Sequence, residues 1–498
     1  MRVIASRFGS LLFAVSSLSL LTHCGSSGGD VGPGDQDSGT DETLVDGAPE
    51  TIADSVTTEA TAETAADSSV DDSTIIDSAT AETSDSATTE TSADAADAAD
   101  TSIADAADTA TADTATTDTA DADAGCAPLS STAVDVYVDK SSTKASVGTR
   151  ECPFHTVGEG TSLAAPTGST RTIHVVNGGS TLADYAEGGL EVKANVVLLG
   201  DGLTKVKISG SGACREGGGN CTVLVDGTGT LDGFLVSGSG ITTSATGKAI
   251  VKNTEVTGSS GDGLRVLGSV DLTNIQASAN ATNGMTVTGS GAVHVLAGAS
   301  VINDFDGNGG DGINVGGTAM LTFDGGTASS NKGSGVVLGS TLAVATPHKI
   351  TGLTANSNGV GTAAKSTGIV VQNSNSLSLR SSTTLMNTGA GLWMTYGTAN
   401  ALDIGFTGSP GANAFTSPDT TKRNRIGLCL DSSGATATQP ADGDKWSTCT
   451  PAPTQTAVSN CTSAMGGTAS IEIGYKSKVG GGGAGADPVL ITGCTVAP

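Results

Sequence analysis

Aromatic residues make up only 3% of this 498-residue chain, so few rings are available to stack on sugars or nucleobases. Positive charge is scarce too, with 23 Lys and Arg against 51 Asp and Glu and a net charge of -28. Between Asp30 and Asp123 there is no Lys or Arg at all, and that tract holds 26 of the acidic residues. Set the tract and the two N-terminal arginines aside, and 25 acids face 21 bases. The net charge therefore belongs to one segment. With no Lys/Arg-rich stretch and no interleaved aromatics, nucleic acid is excluded as a partner. There is no C-x-x-C and no His at ligand spacing, which excludes an ordinary zinc site. Apolar runs are short as well: Leu11 to Leu21 is less than a membrane-spanning helix needs.

A polar turn followed by Gly, apolar, any residue, apolar occurs six times instead. The copies are Gly263-Leu264-Arg265-Val266, Gly284-Met285-Thr286-Val287, Gly312-Ile313-Asn314-Val315, Gly335-Val336-Val337-Leu338, Gly368-Ile369-Val370-Val371 and Gly391-Leu392-Trp393-Met394. Asn280, Asn308, Asn331 and Asn387 each stand four residues before a repeat Gly. Successive glycines are 21, 28, 23, 33 and 23 residues apart, as in a coil of short strands with insertions at its corners. Alternation on a strand sends the residues one and three places after each Gly inward. The residues between them, Arg265 to Trp393, then form the outer face. The glycines are expected at corners needing positive φ or close backbone approach, with Asn amides satisfying the turns.

This pattern predicts an all-β fold, a parallel β-helix of about twelve rungs. At about 4.8 Å per rung its length is roughly 55 to 60 Å. Near the start, Val136-Tyr137-Val138-Asp139, Cys152-Pro153-Phe154-His155-Thr156, Ile173-His174-Val175-Val176 and Val196-Val197-Leu198-Leu199-Gly200 follow at short intervals. This opening resembles a domain-of-unknown-function family in the pectin-lyase-like group. The resemblance implies a right-handed parallel β-helix whose first strand and a short helix, about Thr156 to Ala165, cover its open end. Some cap is required physically, because a bare first rung presents unpaired backbone groups.

The N-terminus reads as a processing segment. Arg2 and Arg7 precede the apolar stretch, which ends at Leu21-Thr22-His23-Cys24-Gly25. This resembles a bacterial lipoprotein signal and implies lipidation of Cys24, although His23 replaces the usual small residue. Residues 25–125 are Asp, Glu, Ala, Thr and Ser without an aromatic, too poor in large apolar groups to fold, and are expected to form a disordered stalk. Such a chain has an end-to-end distance of roughly 55 Å before charge repulsion extends it. Residues 126–430 form the β-helix and 431–498 the last rung and a disulfide-tied cap, where Trp446 is expected in the cap core. The expected location is the bacterial outer membrane or cell surface, with the membrane as one partner through the lipid and the rod a monomer.

Apart from Cys24, eight cysteines remain, an even number suited to an oxidising compartment. Cys126 with Cys152 and Cys214 with Cys221 are the expected disulfides; Cys429, Cys449, Cys461 and Cys494 are also expected in disulfides, with their pairing left open by the sequence.

Chemistry is harder to find. Pectin-lyase-like proteins include polysaccharide lyases and hydrolases, but fold alone does not decide activity. Members resembling polygalacturonases carry clustered Asp with Gly-His-Gly and Arg-Ile-Lys, and neither phrase is present. Asp262 with Arg265 is the nearest local candidate for lyase chemistry; three apart on a strand, they are expected to face opposite sides. Asp304, Asp306 and Asn308 begin like a calcium loop, but its twelfth place is Val315 where a bidentate acid is needed. A structural turn is the alternative, and no cofactor is expected. Trp393, with Tyr396 nearby, is the one exposed ring platform. The sequence therefore favours a non-catalytic structural or recognition module for a polysaccharide or surface protein over a polysaccharide lyase or glycoside hydrolase, and assigns no catalytic residue.

Overall fold

A computed structural model describes residues 125–498 except 180, 299–302, 343–345, 360–365, 374, 397–400, 407, 418, 433–438, 447–454, 459–460, 466–470, 477–490 and 497–498. Cys24, the segment expected to be a stalk, Cys449 and the side chains of Tyr396, Trp446 and Cys494 lie outside the described residues.

Two sheets of parallel strands run along the chain. The first contains long strands, from Asp135–Val138 through Lys248–Ser259 and Ser269–Ser278 to Leu402–Asp403. The second has twelve strands, most only three residues long, beginning at Leu190–Val192. The coil is right-handed, the hand that strand twist imposes on parallel crossovers. Long strands turn a corner midway at Asn253 (φ 47°) and Asn274 (φ 55°), left-handed positions that Asn tolerates better than most residues.

The repeat phrase supplies the short sheet. Leu264, Met285, Ile313, Val336, Ile369 and Leu392 stack in register, and so do Val266, Val287, Val315, Leu338, Val371 and Met394. All twelve are at most 1% exposed. This alternation makes each rung contribute two apolar side chains to one continuous core, to which Phe234, Phe305, Phe323 and Phe415 add the largest buried side chains.

Beside these columns runs a ladder of buried amides. Asn280 donates its backbone N–H (3.0 Å) and Nδ2 (3.1 Å) to Oδ1 of Asn308. Asn308 does the same to Asn331, Asn331 to Asn358, Asn358 to Asn387 and Asn387 to Asn424. Ser259 stands at the head, its N–H bonded to Asn280 Oδ1 at 3.0 Å. Asn358 and Asn424 depart from the four-residue spacing and so escape the sequence pattern.

The repeat glycines have a different cause from one of the two expected. None of the six has positive φ; they are glycine because the backbone is crowded. A Cβ on Gly312 would sit 2.7 Å from the Gly335 carbonyl oxygen and 2.8 Å from Asn331 Nδ2.

Helix α1 (Val157–Ser162) packs on the first strand of the short sheet and is shorter than expected, because Leu163 is already extended. Thr156 and Glu159 form a capping box, while Glu187 accepts the N–H groups of Val157 (2.8 Å) and Gly158 (2.7 Å). Disulfides join Cys126 to Cys152, Cys214 to Cys221 and Cys429 to Cys461. The last links the strand Ile426–Ser432 to helix α2 (Cys461–Met465). At this end the strand Ile471–Lys476 pairs with Ile426–Ser432, and the earlier strand Gln455–Val458 lies outside it.

Asn331→Ala removes the acceptor of two buried donors of Asn308. With about 1 to 3 kcal/mol for each donor left unsatisfied, the variant should lose roughly 2 to 6 kcal/mol in urea unfolding. A loss below about 1 kcal/mol, smaller than one stranded donor costs, would show that water or relaxation replaces the ladder.

Candidate functional site

The outer face of the short sheet changes character along its length. At its N-terminal part Thr242, Arg265, Thr286 and Asn314 point outward in successive rungs. Further along the outward residues are Val337, Val370, Trp393 and Cys429. The apolar stretch is covered. Trp393 packs against Ala390, Ile426, Cys429, Cys461 and Met465, with Cys461 and Met465 supplied by α2. Its Nε1 is buried and has no hydrogen-bond partner among the described residues. Trp393 is thus a covered ring and not the exposed platform that its outward position suggested.

The polar part is open and forms a hollow of about 380 Å³. Asn220, Ser239, Thr242, Asp262, Arg265 and Thr282 contribute to its lining. Asp262 and Arg265 therefore share one hollow instead of facing opposite sides. The reason is local: Asp262 lies in the turn ahead of the strand Leu264–Val266, so strand alternation does not govern it.

One wall comes from the Cys214–Cys221 loop. Gly212 and Ala213 pair antiparallel with Cys221 and Asn220, and the disulfide closes the hairpin. Arg215 reaches Asp226 (2.8 Å) and Glu191 (3.4 Å), while Glu216 Oε2 accepts the Ala245 N–H at 2.8 Å. These contacts hold the loop over the sheet. Gly217 and Gly218 both have positive φ, and a Cβ on Gly217 would be 3.4 Å from Arg265 Nη1.

The carboxylates near the hollow are committed to turns. Asp262 Oδ1 accepts from Thr282 Oγ1 and from the Asn283 N–H. Asn283 Oδ1 accepts the Asp311 N–H (2.7 Å), and Asp311 Oδ1 accepts that of Ser334 (2.7 Å). Burial pushes the Asp311 carboxyl up, opposed by its bonds from Ser334 and from Asn314 Nδ2.

The three calcium candidates are not brought together as ligands. Asn308 spends its amide in the ladder: Oδ1 accepts twice from Asn280, and Nδ2 donates to Ala277 and Asn331. Asp304 Oδ1 accepts the Asp306 N–H at 2.9 Å. Burial pushes Asp306 up to about 6, with the Ser329 N–H opposing and the Asp304 charge adding to the rise. The structural-turn alternative accounts for all three. Among the described residues no group of three or more His, Cys, Asp or Glu side chains is placed to hold a metal.

Among the described residues no histidine lines the hollow. His174 bonds Asp135 (3.0 Å) and His294 bonds Asp271 (3.1 Å), both away from it. His348 lies in the core, with Nε2 3.1 Å from Ser340 Oγ. This Ser–His pair is not a nucleophile and its base. His348 Nδ1 accepts the Leu321 N–H (3.1 Å), so the ring proton sits on Nε2 and is donated to Ser340.

A family model described as "Right handed beta helix region" matches residues 301–404. No curated protein matches the chain. Among solved structures, the A-module of the Azotobacter vinelandii mannuronan C-5 epimerase AlgE4 is 16% identical, with 66% of this chain and 91% of that chain covered and a TM-score of 0.40. Pectate lyase Pel9A is 14% identical, with 73% and 78% covered and a TM-score of 0.32.

Burial lowers the His348 pKa from 6.5 to about 4, with the Asn375 side chain working the other way. The unfolded chain therefore takes up this proton first. The contribution of His348 to stability is complete above the unfolded value and falls as pH drops towards the folded one. A lowering of that size corresponds to roughly 3 kcal/mol. In His348→Asn, whose Oδ1 can take the place of Nδ1, the acid-induced drop in unfolding midpoint between those values should shrink. An unchanged profile would assign the acid sensitivity to other groups.

Proposed function

We propose that this chain is a non-catalytic recognition module for glycans, a β-helix carried on an acidic stalk from a lipidated Cys24 at a bacterial surface. One observation carries the reading: the open hollow at Arg265 offers hydrogen-bonding groups to a ligand, while the acids around it are engaged in holding turns. General acid–base work at a glycosidic bond needs two free carboxyl groups facing one bond. Here Asp262 is tied to Thr282 and Asn283, and Asp311 to Ser334 and Asn314. Recognition needs only the donors and acceptors that the hollow presents.

Export explains the remainder of the sequence. Disulfides close the first strand region, the wall of the hollow and the C-terminal helix, which suits a protein outside a reducing compartment. A polar spacer of the stalk's length would hold the rod away from the lipid surface, within reach of polysaccharide or of another surface protein.

A carbohydrate-active enzyme is the second reading, favoured by the meeting of Asp262 and Arg265 in one hollow. A glycan array with the full chain, followed by reducing-end and unsaturated-product assays on every glycan bound, separates the two. Binding without product is expected; product release would replace recognition with catalysis. Radiolabelled palmitate should enter the wild-type chain and not Cys24→Ala, and equal labelling of both would remove the lipid anchor.

A further inference from the structure

At the N-terminal end of the coil a cation is buried without a counter-ion. Arg171 opens the strand Arg171–Val175 and is 4% exposed. Its Nε donates to the Ala133 carbonyl at 3.1 Å and its Nη2 to that of Ser131 at 3.2 Å. Among the described residues no carboxylate meets it. Burial pulls its pKa down and no neighbouring charge opposes the shift, whereas at Arg215 the carboxylates of Asp226 and Glu191 push it up. A buried charge faced only by carbonyl dipoles is unfavourable unless an anion reaches it.

The surroundings of Arg171 are apolar and open. It lines a hollow of about 670 Å³ together with Leu129, Phe154, Leu163 and Ala165. Each of these four is half-buried, packed on the core while still lining the hollow. They come from three stretches of chain, after Cys126, after Cys152 and after helix α1, and the Cys126–Cys152 disulfide ties the first two together. The lining is therefore built by the cap and not by the repeat.

We infer that this hollow binds a compact anion carried on a hydrocarbon tail, a fatty-acid-like amphiphile. The planar guanidinium offers N–H groups beyond those spent on Ala133 and Ser131, and a carboxylate accepts them in charge-assisted bonds. The four apolar side chains cover the tail. Neither half suffices alone: an acid without a tail leaves the lining wet, and a tail without an acid leaves Arg171 uncompensated. The volume lies within the range of small-molecule pockets. This site shares no lining residue with the hollow at Arg265, so either can fail without the other.

The test titrates the full chain with decanoate below its micelle concentration, and with decanol, decyltrimethylammonium and acetate, reading melting temperature and dissociation constant. Decanoate should raise the melting temperature, and the other three should not. Arg171→Met should weaken decanoate by about tenfold or more, the scale of one lost hydrogen bond to a charged group. Because Arg171 also holds two carbonyls, that variant can lose stability; Ala165→Asp sets a second anion in the lining without touching them, and should weaken decanoate while Ala165→Lys does not. No response to decanoate, an equal response to decanol, or an unaltered response in Ala165→Asp would overturn the assignment. Decanoate bound only after Asp121→Asn and Asp123→Asn would overturn it too, in favour of the chain's own acids as the occupant.

Discussion

Coiling a chain into stacked rungs creates a recurrent problem at its tight corners, where a backbone N–H turns inward and finds no carbonyl in its own rung. A buried amide without a partner is costly, and repeating it rung after rung would forbid the fold. The Asn side chain of the following rung answers it, its Oδ1 taking both the backbone and the side-chain donor below. The rest follows from that arrangement. Each Asn is 3% exposed or less, so the turn is drawn tight against the core; the tight turn leaves no room for a Cβ at the next corner, and glycine must stand there. The glycine then begins the three-residue strand whose ends fill the interior.

Much of this was readable in advance because the constraint is periodic. The two inward columns come directly from alternation after each Gly. The ladder was half visible: Asn280, Asn308, Asn331 and Asn387 keep the spacing, whereas Asn358 stands ten residues before Gly368, and Asn424 is only three residues from Gly427. The hollow was not readable. Arg265 and Asp262 were visible as a pair, but their wall comes from a loop more than forty residues earlier, and Thr242 belongs to the preceding rung. The only hint was the run Gly217-Gly218-Gly219, a sign of close approach whose object no local pattern names. Trp393 misled for the same reason, since α2 covers it from far along the chain.

Acids and amides in this protein share one task. Asp262, Asn283 and Asp311 cap successive turns in a second file, and Asn413 with Asp444 continues a third, where Oδ1 of Asp444 accepts both the N–H and Nδ2 of Asn413. In such positions an acid is the poorer choice, since its second oxygen is left buried, as at Asp444, and its carboxyl is pushed up to about 7 by that burial. Carboxylates that resemble catalytic groups in the sequence are, in the structure, amide substitutes. What marks Arg265 is the reverse: a charge with no side-chain partner among the described residues.

The amide ladder also has a direction. At each level Asn donates onward to the oxygen of the next and receives from the one before. A stack interrupted after any rung therefore shows bare donors on its C-terminal side and filled acceptors on the other. Such an end is completed only by an oxygen-bearing side chain at the matching height, so each level of the ladder fixes the register of the next.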